Sequence, residues 1–130
     1  MTLKEELTEK AHVVEKPWGH EEWLSVTKRY VLKKLVLKKG ARFSLQYHKK
    51  KEESLYLLAG SIRLTLGKPG KQGNLETSLF RAGETIHLPP KMIHRAEAQE
   101  ASVIIEASTP HLLDVVRLSD DYRREGTSKP

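Results

Sequence analysis

The stretch Gly40-Ala-Arg-Phe-Ser-Leu-Gln46-Tyr-His48-Lys-Lys-Lys51-Glu52-Glu53-Ser-Leu-Tyr-Leu-Leu-Ala-Gly60 decides how this chain folds. One residue separates Gln46 from His48, so on a strand both side chains leave the same face. A polar turn follows, and Glu53 then heads the apolar run Leu55-Tyr56-Leu57-Leu58. Gly60-Ser61 turns the chain tightly into the next apolar run. The same texture extends both ways from here. Short segments rich in Val, Leu, Ile, Tyr and Trp are divided by Gly, Pro and Asn, the pattern of many short strands. Strands are expected over 12–16, 20–27, 30–38, 43–48, 54–59, 61–67, 75–80, 85–88, 92–97, 102–108 and 113–118. Val31, Lys33, Leu35 and Leu37 share one face of a strand, as do Ile62, Leu64 and Leu66. Lys68 to Asn74 reads as a hairpin tip, Arg81 to Glu84 as a turn, and Pro89-Pro90 as a break in the ladder. No long helical pattern interrupts the body, so the expected fold is all-β, a double-sheet jelly-roll barrel. Residues 1–10, with Leu3 and Leu7 four apart, read as an N-terminal arm of a helical turn or two. Residues 11–122 read as a single domain and 123–130 as a flexible polar tail.

The chain has 130 residues, enough for one domain with a core. No apolar stretch approaches the roughly 20 residues of a membrane span, so no membrane partner is expected. Met1 to Lys10 lacks the apolar centre of a signal peptide. Cysteine is absent, which excludes disulfides and thiolate ligands, and a cytoplasmic setting is expected. The net charge of +6 and pI near 9.6 favour anions. Aromatics do not interleave with the basic residues and no nucleic-acid module is visible, so a small anionic or sugar ligand is expected and nucleic acid is not. Lys49-Lys50-Lys51 is the densest basic run, either a solvated turn or a positive rim.

The second informative stretch is Gly83-Glu-Thr-Ile-His87-Leu-Pro89-Pro-Lys91-Met-Ile-His94. Gln46, His48, Glu53 and His94 together make a mixed nitrogen and oxygen donor set suited to a divalent first-row metal. Either histidine alone reads as an ordinary strand residue satisfied by hydrogen bonds. Arg42 and Arg95 flank ligand positions, and each could clamp a phosphate or carboxylate or simply form a surface ion pair. Trp18 and Trp23 are expected to pack the barrel, and Arg117 with Asp120-Asp121 to tie down the last strand.

These stretches resemble the two motifs of the cupin superfamily. Gly40, His48, Glu53 and Gly60 match the first, with Gln46 standing for its first His. Gly83, Pro89 and His94 match the second, with Lys91 in place of its Gly and Ala98 in place of its Asn. The chain further resembles the type II mannose-6-phosphate isomerase cupin, also found as the C-terminal domain of bifunctional mannose-1-phosphate guanylyltransferases. Lys16-Pro-Trp-Gly19, Gly40 to His48, Leu88 to Arg95 and Asp114 to Arg123 carry that likeness. It implies a cupin double-stranded β-helix, a divalent metal (zinc foremost; Mn, Fe and Ni suit the donors too) and aldose–ketose isomerisation of a sugar or sugar phosphate. It also makes a homodimer through edge strands a fair expectation. Lys51 stands near the family's Arg, keeping charge without the fork geometry. Isomerisation needs an electrophile on the sugar oxygens and a base at carbon. Arg42, Lys51, Arg95 and Glu106 are the candidate catalytic residues. His87 is a second candidate base, and Tyr56 or Lys91 could shuttle a hydroxyl proton. An iron-dependent oxygenase and a sugar-binding cupin without turnover are the alternatives.

Overall fold

The structure is a computed structural model that describes residues 1–125. Its elements run α1 (Leu3–Leu7), β1 (His12–Lys16), β2 (Gly19–Val26), β3 (Val31–Leu37), β4 (Leu45–Tyr47), β5 (Glu53–Ala59), β6 (Ser61–Gly67), β7 (Glu76–Arg81), β8 (Thr85–Leu88), β9 (Ile93–Ala98), β10 (Ser102–Ser108) and β11 (Val116–Ser119). The strands form two antiparallel sheets. One has six strands in the order β1-β2-β3-β10-β5-β8, the other five in the order β11-β4-β9-β6-β7. Non-consecutive neighbours in both sheets give the wound barrel that the alternating pattern predicts.

Period-2 side chains build the core. On β3, Val31, Lys33, Leu35 and Leu37 are all buried, and their neighbours are only half-buried. Leu55 and Leu57 of β5 and Ile104 of β10 face Ile62, Leu64, Ala96 and Ala98 of the other sheet. Trp18 meets Phe43 edge-on at 4.5 Å between ring centroids. Leu57 and Ile62 have no exposed surface, so truncating either to Ala costs about 2–5 kcal/mol.

Two expected strands are shorter than the sequence suggests. The fourth covers only Leu45–Tyr47, pairing with β9 at Gln46 and His94. The last begins at Val116 rather than residue 113, because Asp114 is used differently. Its carboxylate accepts the backbone N–H groups of Lys49, Lys50 and Lys51 at 3.0, 2.7 and 2.9 Å. Its main-chain oxygen is taken by His48 Nδ1 rather than by a ladder partner.

At the turn before His94, Lys91 stands where the motif has glycine and adopts φ 71°, the left-handed conformation that favours glycine. Its N–H donates to the His48 carbonyl at 2.6 Å, joining the two motif segments. At the tight turn Gly60 (φ 99°), an added Cβ would lie 2.2 Å from Ser102 Oγ, so only glycine fits.

The arm's helix α1 is capped by Thr2 but buries nothing, and Leu3 and Leu7 are both exposed. Of the tail expected over 123–130, Arg124 is anchored, its Nε 2.7 Å from Asp120 Oδ2. Residues 126–130 lie outside the described residues. No helix among the described residues is long and apolar enough to cross a membrane.

Candidate metal centre

His48 lies just beyond β4, Glu53 opens β5 and His94 sits on β9. All three point inward, and each side chain is less than a tenth exposed. One ligand atom from each lies within 4.8 Å of the others. Glu53 Oε2 is 3.2 Å from His48 Nε2, and Oε1 is 3.9 Å from His94 Nε2. The outer nitrogens fix the rings. His48 Nδ1 meets the Asp114 carbonyl oxygen, and His94 Nδ1 meets that of Met92 at 3.0 Å. A carbonyl only accepts, so each Nδ1 carries the proton and each Nε2 presents a lone pair to the shared point.

This donor set fits a divalent first-row metal: two neutral imidazole nitrogens and one carboxylate, buried together. Glu53 supports the fit. Its Oε2 is buried and makes no directional hydrogen bond, despite the cationic groups nearby. Gln46 borders the same point, with Nε2 3.5 Å from His48 Nε2 and Oε1 accepting from Ser44 Oγ at 2.6 Å. A half-turn of the amide would exchange the two ends, presenting oxygen to the centre while the NH2 donates to Ser44.

Lys51, a catalytic candidate within a run read as either a solvated turn or a positive rim, has its ammonium buried 3.0 Å from both Glu53 Oε2 and Glu106 Oε2. Burial alone would lower its pKa, yet Glu106 and Glu53 prevail and hold it above the ordinary lysine value. Burial would raise the Glu53 carboxyl, but the Lys51 ammonium beside it holds it well below the usual range. His94 is pushed down by burial, which keeps the ring neutral. Glu106 Oε2 also accepts from Ser108 Oγ at 3.0 Å.

These groups line one cavity of about 90 Å³ that opens to solvent. Five charged residues in its wall were not among the candidates: Lys16, Glu21, Lys33, Arg117 and Arg124. The signal for Lys33 was present, since it shares a face with Val31, Leu35 and Leu37. Arg117 is buried opposite Gln46, and Asp120 and Asp121 tie down the closing segment as expected, through Arg124 and Arg42. Trp18 packs the core as expected and also borders the cavity; Trp23 lies outside the core cluster, lines the cavity and donates to Glu21 at 2.8 Å.

Arg42 and Arg95 do not line the cavity. Arg42 grips Asp121 with two bonds of 2.6 and 2.7 Å. Arg95 donates to the carbonyls of Phe43 and Ser119, both at 3.0 Å. These arginines clamp the closing segment: Arg95 faces away from its neighbour His94 on β9, and Arg42 sits at an isolated bridge to Glu97 outside the strands. His87 is likewise outside, half-exposed and paired with Glu52 at 2.6 Å. Tyr56 and Lys91 are exposed, away from the wall. Of the candidate acids, bases and anion clamps, only Lys51 and Glu106 share the cavity with the histidines.

Residues 4–120 match the family described as Mannose-6-phosphate isomerase C-terminal. The chain is 29% identical over 115 residues to mannose-1-phosphate guanylyltransferase 2 of Escherichia coli O157:H7, an overlap of 85% of this chain and 22% of that protein. It therefore spans less than a quarter of that relative's length. Among solved structures, it resembles an RmlC-like cupin from Shewanella frigidimarina NCIMB 400, with a TM-score of 0.63 and 18% identity over 77% of this chain and 84% of that one. It also resembles Bacillus subtilis oxalate decarboxylase, described with Mn(II) centres, with a TM-score of 0.67 and 23% identity over 82% of this chain and 29% of that one. The wound two-sheet barrel is thus a cupin, and the chain belongs to the mannose-6-phosphate isomerase C-terminal family.

Proposed function

We propose that this protein is a metal-dependent sugar isomerase, interconverting an aldose and a ketose, with a sugar phosphate as the favoured substrate. The observation that carries this reading is the convergence of His48 Nε2, His94 Nε2 and the Glu53 carboxylate, with both outer ring nitrogens tethered to carbonyls. His48, Glu53 and His94, with Gln46 beside them, would hold a divalent ion, zinc being the first expectation. When bound, such an ion supplies a Lewis acid for adjacent sugar oxygens. Family membership and the likeness to a mannose-1-phosphate guanylyltransferase support a place in sugar-phosphate or sugar-nucleotide metabolism.

The chain's own residues supply the rest. Glu106 is the carboxylate placed to take and return the carbon-bound proton. Its Oε2 is held by Lys51 and Ser108, leaving Oε1 unengaged among the described residues. Lys51 fixes that carboxylate and balances the charge between Glu106 and Glu53. Leu112, Leu113 and Val115 wall the mouth and limit water.

The test is a coupled assay of metal-loaded protein with mannose 6-phosphate, fructose 6-phosphate and the unphosphorylated sugars. Interconversion of an aldose and a ketose is expected. Protein carrying one equivalent of metal that interconverts none of them would refute the isomerase reading.

A further inference from the structure

The cavity holds a second buried charge cluster, which the acid–base chemistry above leaves unused. Lys33 Nζ lies 3.1 Å from Glu21 Oε1, and Lys16 Nζ lies 3.7 Å from Oε2. Glu21 Oε1 also accepts the Trp23 indole N–H. Two ammoniums therefore share one carboxylate, with side chains only 8% and 7% exposed for Lys16 and Lys33. Charges this poorly hydrated are costly unless an opposite charge compensates them. The Lys16 ammonium, 3.7 Å from Glu21, makes no hydrogen bond among the described residues, so its N–H groups remain available to the cavity it lines. Burial and the neighbouring Lys33 both push the Lys16 ammonium below its ordinary pKa, against the pull of Glu21. An incoming anion would relieve that field. Arg117, in register with Gln46 on the adjoining strand, forms part of the same wall.

We propose that Lys16 and Lys33 form an oxyanion subsite that takes the phosphate or carboxylate of a small sugar ligand, separate from the cation site of His48, Glu53 and His94. The cluster lies close enough to the metal centre for one molecule to reach both. Lys33 and Glu106 are direct partners across β3 and β10, which places their Cβ atoms about 5 Å apart. A dianionic phosphate suits two ammoniums better than a monoanionic carboxylate. The sugar in this proposal rests on the isomerase reading; the oxyanion does not.

The experiment is calorimetric titration of the protein with inorganic phosphate, a hexose 6-phosphate, a hexuronate and the plain hexose, with metal content measured in parallel. Wild-type protein is expected to bind the hexose 6-phosphate at least tenfold more tightly than the hexose, with the hexuronate between them. Lys16→Met leaves the matched Glu21–Lys33 pair in place, so it should fold, keep its metal and lose most of that preference. Glu21→Gln removes the opposing carboxylate and should tighten inorganic phosphate, a change that a merely structural role would not produce. His48→Ala should lose metal but still bind phosphate. A phosphorylated ligand preferred without any turnover would support the subsite while sinking the isomerase. Equal affinity for hexose and hexose 6-phosphate in the wild type, or a preference undiminished in Lys16→Met, would overturn the subsite.

Discussion

Two buried clusters in one cavity use the same pieces in opposite proportion. Beside the imidazoles, one ammonium, Lys51, lies between two carboxylates, Glu53 and Glu106. Next to it, two ammoniums, Lys16 and Lys33, surround one carboxylate, Glu21. The first is short of positive charge and carries two neutral nitrogen donors; the second is short of negative charge. Burial and pairing are alike in both, so a count of ion pairs would not separate them. The ratio does, since an excess of buried carboxylate suits a cation and an excess of buried ammonium suits an anion.

The largest expected effect removes the cation site outright. His48→Ala and Glu53→Ala should each take bound metal from about one equivalent to background, while circular dichroism keeps its β signature. Stoichiometric metal in both variants would dissolve the contrast between the clusters. The next effect compares the lysines. Lys51→Met strips the shared cation from two buried carboxylates and should cost metal-free protein about 3–5 kcal/mol in denaturant unfolding. It should also tighten metal binding at least tenfold, because the rival cation is gone. Lys16→Met leaves a matched pair and should cost about 1 kcal/mol at most. Equal losses in the two variants would show that the charge ratio is irrelevant.

The third prediction concerns acid. Burial holds His94 below its ordinary value of 6.5, so the unfolded ring takes up a proton at a pH where the folded ring does not. Stability of metal-free protein should therefore fall as the pH drops below about 6.5. Glu53 acts in a lower window. Its folded pKa is depressed, so its contribution persists above the usual carboxylate range and is lost only as the pH falls through the lower folded value. Melting temperatures between pH 8 and 5 check this; a flat profile would mean His94 is not held neutral. The smallest effect tests the turn that joins the two motifs. Lys91→Gly should raise stability by about 0.5–1 kcal/mol, because relief of the left-handed strain outweighs the glycine's entropy. A loss there would place the benefit of Lys91 in its side chain.

Much of this was legible in the residue pattern. Alternation along β3 and β6 fixed the strands, and the offsets of His48, Glu53 and His94 identified the imidazole–carboxylate trio. What escaped was direction. Arg95 stands next to His94 on β9, where a period of two turns neighbours to opposite faces; Arg42 precedes β4 at an isolated bridge to Glu97, so strand alternation does not set its direction. Lys51 looked like part of a solvated run, because nothing local reveals that Glu106, on another strand, waits to bury it. Lys33 could have been caught, since a lysine in register with Val31, Leu35 and Leu37 must either be paired inside or break the core. Glu21 and Trp23 share the matching alternation on β2, but only the register of β2 against β3 brings them to Lys33.

Asp114 closes the account of the cation site in time as well as in space. Its main-chain oxygen steadies the His48 ring, and its side chain gathers three successive amides of the lysine turn. The loop that presents His48 and Lys51 is therefore finished by a residue more than sixty positions downstream. A growing chain that has released only its first motif has no means of locking that loop. The inward arrangement of His48 and Lys51 thus requires the closing segment as well as both motif stretches.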